Sequence, residues 1–224
     1  MGFAEDHEMA KKTTAIDEIV DVALEIAHST SWESLRLCQV AERLDISLKE
    51  LARHIREKED IAEAWFDRAD SAMLAQVDTA EFGNLSTRQR LKRLIIAWLK
   101  SLSPRRRVTR EIICSKFEPL RLDRQLAGLT RTRRSVQWMR DASKRYTPLP
   151  WRMAEETVLS GIFVATFCYW MWDDSDGSTR TVEYLDRSLG CVEQLSRWLP
   201  SFIRYPRPPR HPEAASAPAA GPAA

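Results

Sequence analysis

Apolar positions recur three and four residues apart along most of the chain, and strict alternation is never sustained, so the pattern predicts helices and no strands. Ile16, Ile19, Val20, Ala23, Leu24 and Ala27 trace a first amphipathic helix over 15–28, preceded by a flexible 1–14. Leu37, Val40, Ala41 and Leu44 mark a short second helix. Ser47, with Glu50 three residues on, is a capping box that opens a third helix and turns Leu48, Leu51 and Ile55 inward. Two short helices joined across Asp45 and Ile46 make a helix-turn-helix.

From Asp60 the spacing of Ile61, Trp65, Ala69, Ala72, Met73 and Val77 predicts a long connecting helix that runs to about Phe82, Gly83 and Asn84. The next helix starts at Thr87, buries Leu91, Leu94, Ile95, Trp98 and Leu102, and stops at Pro104. Residues 108–145 read as two helices around Pro119, with Leu122, Leu126, Leu129, Val136 and Met139 on one side of the second and arginines elsewhere. Between Val158 and Trp172 only Ser160, Gly161 and Thr166 interrupt an apolar and aromatic run. A helix apolar all round is expected to be buried on every side. It is too short for a membrane span, which takes roughly 20 apolar residues. A last helix carries Val182, Leu185, Leu189, Val192 and Leu195, and Pro200 ends the pattern. The expected organisation is therefore all-α: a three-helix unit over 15–58, a larger helical body over 59–205, and a disordered Pro/Ala-rich tail over 206–224.

Composition adds three constraints. An apolar content of 44% in 224 residues supplies a core without metals or disulfides. Cys38, Cys114, Cys168 and Cys191 are scattered and form no CxxC pair, and no secretory leader is visible, so a reducing, cytoplasmic setting is expected. The net charge of +2 hides an uneven distribution: residues 1–60 hold eight basic against fourteen acidic residues, whereas residues 104–145 hold thirteen basic against four acidic. Arg105, Arg106, Arg107 and the arginines at 121, 124, 131, 133, 134 and 140 suit an anionic membrane surface or an acidic partner as well as a solvated helix face.

The chain carries no GxSxG elbow and no glycine-rich phosphate loop, and His7, His28, His54 and His211 lack zinc spacing, so no enzyme and no cofactor is expected. Asp174, Asp176, Gly177 and Glu183 fall at the third, fifth, sixth and twelfth places of a calcium loop, but Trp172 stands at the first. A helix-capping loop is the expected reading, and no metal site is assigned.

The stretch VAERLDISLKELARHIREKEDI, residues 40–61, resembles the recognition unit of the TetR family through Val40, Ala41, Ile46, Ser47, Leu51, Arg53, His54 and Lys58. It departs from that pattern at Asp45 for the turn glycine, Glu50 for threonine, Ala52 for tyrosine and Ile55 for phenylalanine. The resemblance implies a DNA-binding, ligand-responsive transcriptional regulator whose contacts would come from Arg36, Lys49, Arg53, His54 and Lys58. Non-specific DNA affinity rests on cations against phosphates, and residues 1–60 carry a formal charge of −6.

Residues 136–195 are similar to the C-terminal region of the ubiquinone-biosynthesis lipid-binding family (Coq-nine), itself TetR-like in fold. Trp138, Trp151, the small and apolar Leu159–Thr166, Tyr169, Trp170, the turn Asp174, Ser175, Asp176, and Thr181 with Tyr184, Leu185, Asp186 and Arg187 carry the likeness. The string Ala69–Leu74, ADSAML, adds to it. This resemblance implies a cavity that holds an isoprenoid lipid, or another hydrophobic ligand, and presents it to a quinone-modifying hydroxylase at the inner face of the membrane. Its wall would be Met73, Ile95, Trp98, Leu159, Ile162, Phe163, Thr166, Phe167, Trp170 and Met171; the alternative for each is a place in a solid core. Both families imply a homodimer through the last two helices. The C-terminal amphipathic segment of the Coq-nine family is shortened here to Arg197–Tyr205, beside which Trp198, Leu199, Phe202 and Ile203 suit a lipid interface or the bundle. Lipid binding is the first expectation and DNA-binding regulation the alternative.

Overall fold

The computed structural model describes residues 2–116, 122–143 and 151–198, and the side chains of residues 15–115, 131–143 and 153–195 within them. Nine helices are described: α1 Gly2–Ser29, α2 Leu37–Arg43, α3 Leu48–Leu51, α4 Lys58–Leu74, α5 Thr87–Leu102, α6 Arg106–Lys116, α7 Leu122–Ala142, α8 Trp151–Met171 and α9 Thr179–Trp198. No strand occurs among the described residues. The break expected around Pro119, Arg121, the side chain of Arg124 and the tail from 206 lie outside the described residues.

The helix-turn-helix forms as its spacing demands. Ser47 Oγ accepts from the Glu50 amide at 3.1 Å, which satisfies one of the orphan donors at the start of α3. Val40, Ala41, Leu51 and Ile55 are buried against Val20, Ala23, Leu24 and Ala27 of α1 in the common core. Leu48 is a correction: it was expected inward but is 56% exposed, because α3 is a single turn that presents only Leu51 to the core. α1 also begins at Gly2 rather than at 15, so the helix takes in the stretch expected to be flexible.

α4 and α5 pack antiparallel at the centre of the body. α4 ends at Leu74 instead of near Phe82, because the amides of Gln76, Val77, Thr79 and Phe82 turn to carbonyls three residues back. Only Val77 between residues 75 and 81 could extend the buried stripe, and Phe82 then anchors the connection at 3% exposure. α5 starts in a reciprocal box between Ser86 and Gln89 and buries Leu91, Leu94, Ile95, Trp98, Leu99 and Leu102 on one face. α5 ends at Leu102 ahead of Pro104, as expected; the proline sits in a 3-10 turn, Ser103–Arg105, where its missing N–H is not needed, and α6 follows at once.

Two further expectations are overturned. α8 is not buried on every side, since Val158, Val164 and Tyr169 are exposed along it and Trp172 just beyond its end. Nor do the basic residues form one solvated face. Arg131 and Arg140 are buried, Arg131 against Glu63, Asp67 and Asp70 of α4 and Arg140 against Glu156 of α8. Arg106 donates to the Asp173 carbonyl and to Ser178 Oγ and lies over the Trp170 ring. Taking charges out of water costs more than their attraction returns unless they are paired, and the pairing explains why these cations point inward.

Candidate functional site

Nine of the ten expected wall residues are buried: Met73, Ile95, Trp98, Leu159, Phe163, Thr166, Phe167, Trp170 and Met171; Ile162 is half-buried at the edge of the core. They meet because α8 lies across α4 and α5. Trp98 is the hub: its ring stacks on Phe66 at 5.9 Å and takes Phe163 and Phe167 edge-on at 5.0 and 5.2 Å. Phe167 stacks in turn on Trp170 at 5.9 Å. Thr166 satisfies its hydroxyl on the Ile162 carbonyl of the preceding turn, so it presents a methyl to its neighbours. The rings of Phe66, Trp98, Phe163, Phe167 and Trp170 thus form one contacting cluster.

A polar centre beneath these rings was not among the expected site residues. Asp70 Oδ1 accepts from Trp98 Nε1 at 2.8 Å and from Ser135 Oγ at 2.7 Å, and Oδ2 accepts from Arg131 Nη2 at 3.1 Å. Asp70, Arg131 and Ser135 are all buried, and the Arg131 guanidinium lies over Phe66. A buried indole needs an acceptor, so Trp98 together with the aspartate in ADSAML was the available signal. The arrangement fixes the hub ring in one orientation.

The acidic turn between α8 and α9 is built around Asp173, not around the calcium-pattern positions. Asp173 is buried, and its oxygens accept from Ser175 N and Oγ at 3.0 and 2.6 Å and from Thr181 N and Oγ1 at 2.8 and 2.5 Å. Burial alone would raise its pKa, but these hydrogen bonds outweigh it and hold the carboxyl far below the ordinary value. Gly177, at φ +60°, takes the left-handed backbone the turn requires. No cluster that could hold a metal ion occurs among the described residues. Further along α9, Asp186 is held below the usual carboxylate range by a hydrogen bond from Lys92, against partial desolvation, and by Arg88 beside it.

Of the five DNA-facing candidates, Arg36 and Lys49 are exposed on α2's N-terminal edge and on α3. Arg53 is tied to Glu50 at 2.7 Å, and His54 stands 4.0 Å from the same carboxylate. Lys58 folds back, donating to the Trp32 and Glu33 carbonyls at 3.1 and 3.4 Å with its ammonium over the Trp32 ring. Asp45, in place of the turn glycine, adopts φ +54°, the left-handed conformation that glycine would take freely. The unit keeps its helix-turn-helix geometry, with Arg53 paired to an acidic neighbour and Arg36 and Lys49 exposed.

These features define a class: an all-α protein in which a helix-turn-helix unit is joined to a TetR-like helical body. The TetR transcriptional regulator from Nitrosomonas europaea ATCC 19718 is similar in structure, with 40% identity, 81% of this chain and 99% of that one covered, and a TM-score of 0.73. A TetR regulator from Rhodococcus sp. RHA1, 17% identical over 81% of this chain and 97% of that one, shares the fold with a TM-score of 0.58. The COQ9 family model matches residues 155–196, which are most of α8 and α9. No curated protein matches the chain. The chain belongs to the TetR family, and its residues 155–196 are similar to COQ9.

Proposed function

We propose that this chain is a non-enzymatic binder of an isoprenoid lipid, or of a ubiquinone precursor, that assists ubiquinone biosynthesis. The observation that carries the reading is the COQ9 match over 155–196, which falls on the helix that brings Phe163, Phe167 and Trp170 to the core. The pairing of Arg53 with Glu50 on the expected DNA-facing side supports it from the other end of the chain. A prenyl chain would enter along Ile162 and Leu159 by parting the rings around Trp98. Opening the three Trp98 ring pairs costs about 2 to 5 kcal/mol. Each isoprene unit returns up to roughly 4 kcal/mol at about 0.8 per carbon group, so three units outweigh that opening before ordering costs.

A second copy of the chain would cover the exposed stripe of α8 and α9, Val158, Val164, Trp172 and Leu195, with Tyr169 stacked on Tyr184 at 5.2 Å to stiffen it. A quinone-modifying hydroxylase and the inner face of the membrane are the proposed destinations of the lipid. Among the described residues no helix is long and apolar enough to cross a membrane, so that contact would be peripheral.

DNA-binding regulation is the second reading, favoured by the preserved helix-turn-helix and by the 40% identical relative from Nitrosomonas europaea. One paired experiment separates the two. Organic extraction of the purified protein followed by mass spectrometry is expected to release an isoprenoid lipid. A salt-titrated shift assay on the upstream DNA is expected to give no competitor-resistant band. A sharp band lost in Arg53→Ala, with no lipid in the extract, reverses the order.

A further inference from the structure

Two buried polar atoms near the C-terminal end of α7, Arg140 Nε and Ser143 Oγ, make no hydrogen bond among the described residues. Their residues are 3% and 2% exposed, so bulk water does not serve them, and a buried donor left unmet is costly. Arg140 faces α8, where it pairs with Glu156 through Nη1. Ser143 lies three residues on, and its amide still bonds the Met139 carbonyl at 3.0 Å, so the helical spiral carries it to the same side of α7. Side chains three apart on a helix are neighbours, with Cβ atoms about 5–6 Å apart, which lets one oxygen atom reach both donors.

Charge decides what that oxygen is. Glu156 already compensates the guanidinium, so what remains at Arg140 is donor capacity and not net charge. A further carboxylate would set two anions on one buried cation, whereas an uncharged oxygen satisfies the N–H and O–H without that cost. Arg131 Nε is unmet as well, but it stands among Glu63, Asp67 and Asp70, whose oxygens repel another acceptor. We infer that Arg140 Nε and Ser143 Oγ hold the head of the ligand by an uncharged ring oxygen, a quinone carbonyl or the hydroxyl of its reduced form; this rests on the lipid-binding reading above. Glu156, Leu159 and Phe163 follow at three and four residues along one face of α8, and Phe163 lies about 10 Å beyond Glu156 along the helix. The head sits at the Arg140 end, and the tail runs past Leu159 to the rings of Phe163 and Trp98. An isoprenoid hydrocarbon without an oxygen leaves both donors unmet, so the seam selects oxygenated rings over bare tails.

Equilibrium dialysis of the full chain against three probes with the same tail tests this: a decyl-substituted benzoquinone, decylbenzene and para-decylbenzoate. The quinone is expected to bind about tenfold more tightly than decylbenzene, and more tightly than the benzoate. Ser143→Ala removes one donor, and Arg140→Lys removes the Nε–H while keeping a cation opposite Glu156. Each is expected to weaken the quinone about fivefold and to leave decylbenzene unchanged. Ser143→Ala is also expected to keep the urea midpoint of the empty protein at or above that of the native chain, because its hydroxyl has no bond to lose. Equal affinity for quinone and decylbenzene, or a quinone preference untouched by both substitutions, overturns the head assignment and leaves lipid binding standing. Tighter binding of the benzoate overturns it in favour of an anionic head, and a lowered urea midpoint in Ser143→Ala overturns it by giving the hydroxyl a structural partner. Failure of all three probes to bind sinks the lipid-binding reading itself.

Discussion

Replacing Asp70 with alanine should be among the most damaging single changes in the body. Its carboxylate serves Trp98 Nε1, Ser135 Oγ and Arg131 Nη2 at 2.7 to 3.1 Å, and all three donors are buried. A buried donor left without a partner costs about 1–3 kcal/mol, and breaking a buried ion pair by removing one partner costs about 3–5. Arg131 keeps Glu63 and Asp67, so the ionic share falls at the low end. The expected loss is therefore about 3–5 kcal/mol. Asp70→Asn preserves the shape and one acceptor, gives up the charged hydrogen bond, and should lose about 1.5–3 kcal/mol. Urea unfolding followed by circular dichroism measures both. In Asp70→Ala the further change Trp98→Phe should cost about 1 kcal/mol less than in the native chain, because the indole N–H has already lost its acceptor. A loss below about 1 kcal/mol for Asp70→Ala, or equal losses for Ala and Asn, would refute the claim that this carboxylate organises the ring cluster.

Asp173 gives a pH signature. Its folded pKa lies below the unfolded one, so its stabilisation is fully present above about pH 4 and fades as the pH falls below that. Stability measured by urea unfolding should fall steeply with acid below about pH 4 in the native chain and less steeply in Asp173→Asn; parallel curves would refute this. Asp45→Gly removes the cost of a left-handed side-chain-bearing residue and should raise stability by about 0.5–1 kcal/mol, read as a higher urea midpoint at unchanged slope. Val164→Asp, on the exposed stripe of α8, should leave the fold intact and halve the mass found by sedimentation, and an unaltered mass would exclude that stripe as the dimer contact.

Much of the architecture is written in local spacing. The stripe of α5 and the Ser47 and Ser86 starts follow from side chains three and four residues apart, which is information a single sequence carries. What it hid depended on pairing between distant elements. Arg131 and Arg140 sit on a helix rich in arginine, where cations ordinarily face water. Their burial became intelligible only once Glu63, Asp67 and Asp70 of α4 and Glu156 of α8 stood opposite them. The apolar run of α8 misled for a different reason: hydropathy marks a residue that avoids water without saying whether its own chain or another covers it. Periodicity marked most of the expected wall residues as buried, yet it carries no information on how closely rings interlock, and Trp98 stands in contact with Phe163 and Phe167.

The inward-turned arginines also change what the molecule looks like from outside. Between residues 104 and 145 the composition suggests a strongly cationic band, thirteen positive groups against four negative. Arg131, Arg134 and Arg140 pair with carboxylates of α4 and α8, and Arg106 and Arg107 donate to the carbonyls of Asp173 and Thr30. An anionic bilayer or polyanion approaching from solution would meet a much weaker field than the tally implies, and the attraction it felt would come chiefly from the cations outside that internal scaffold.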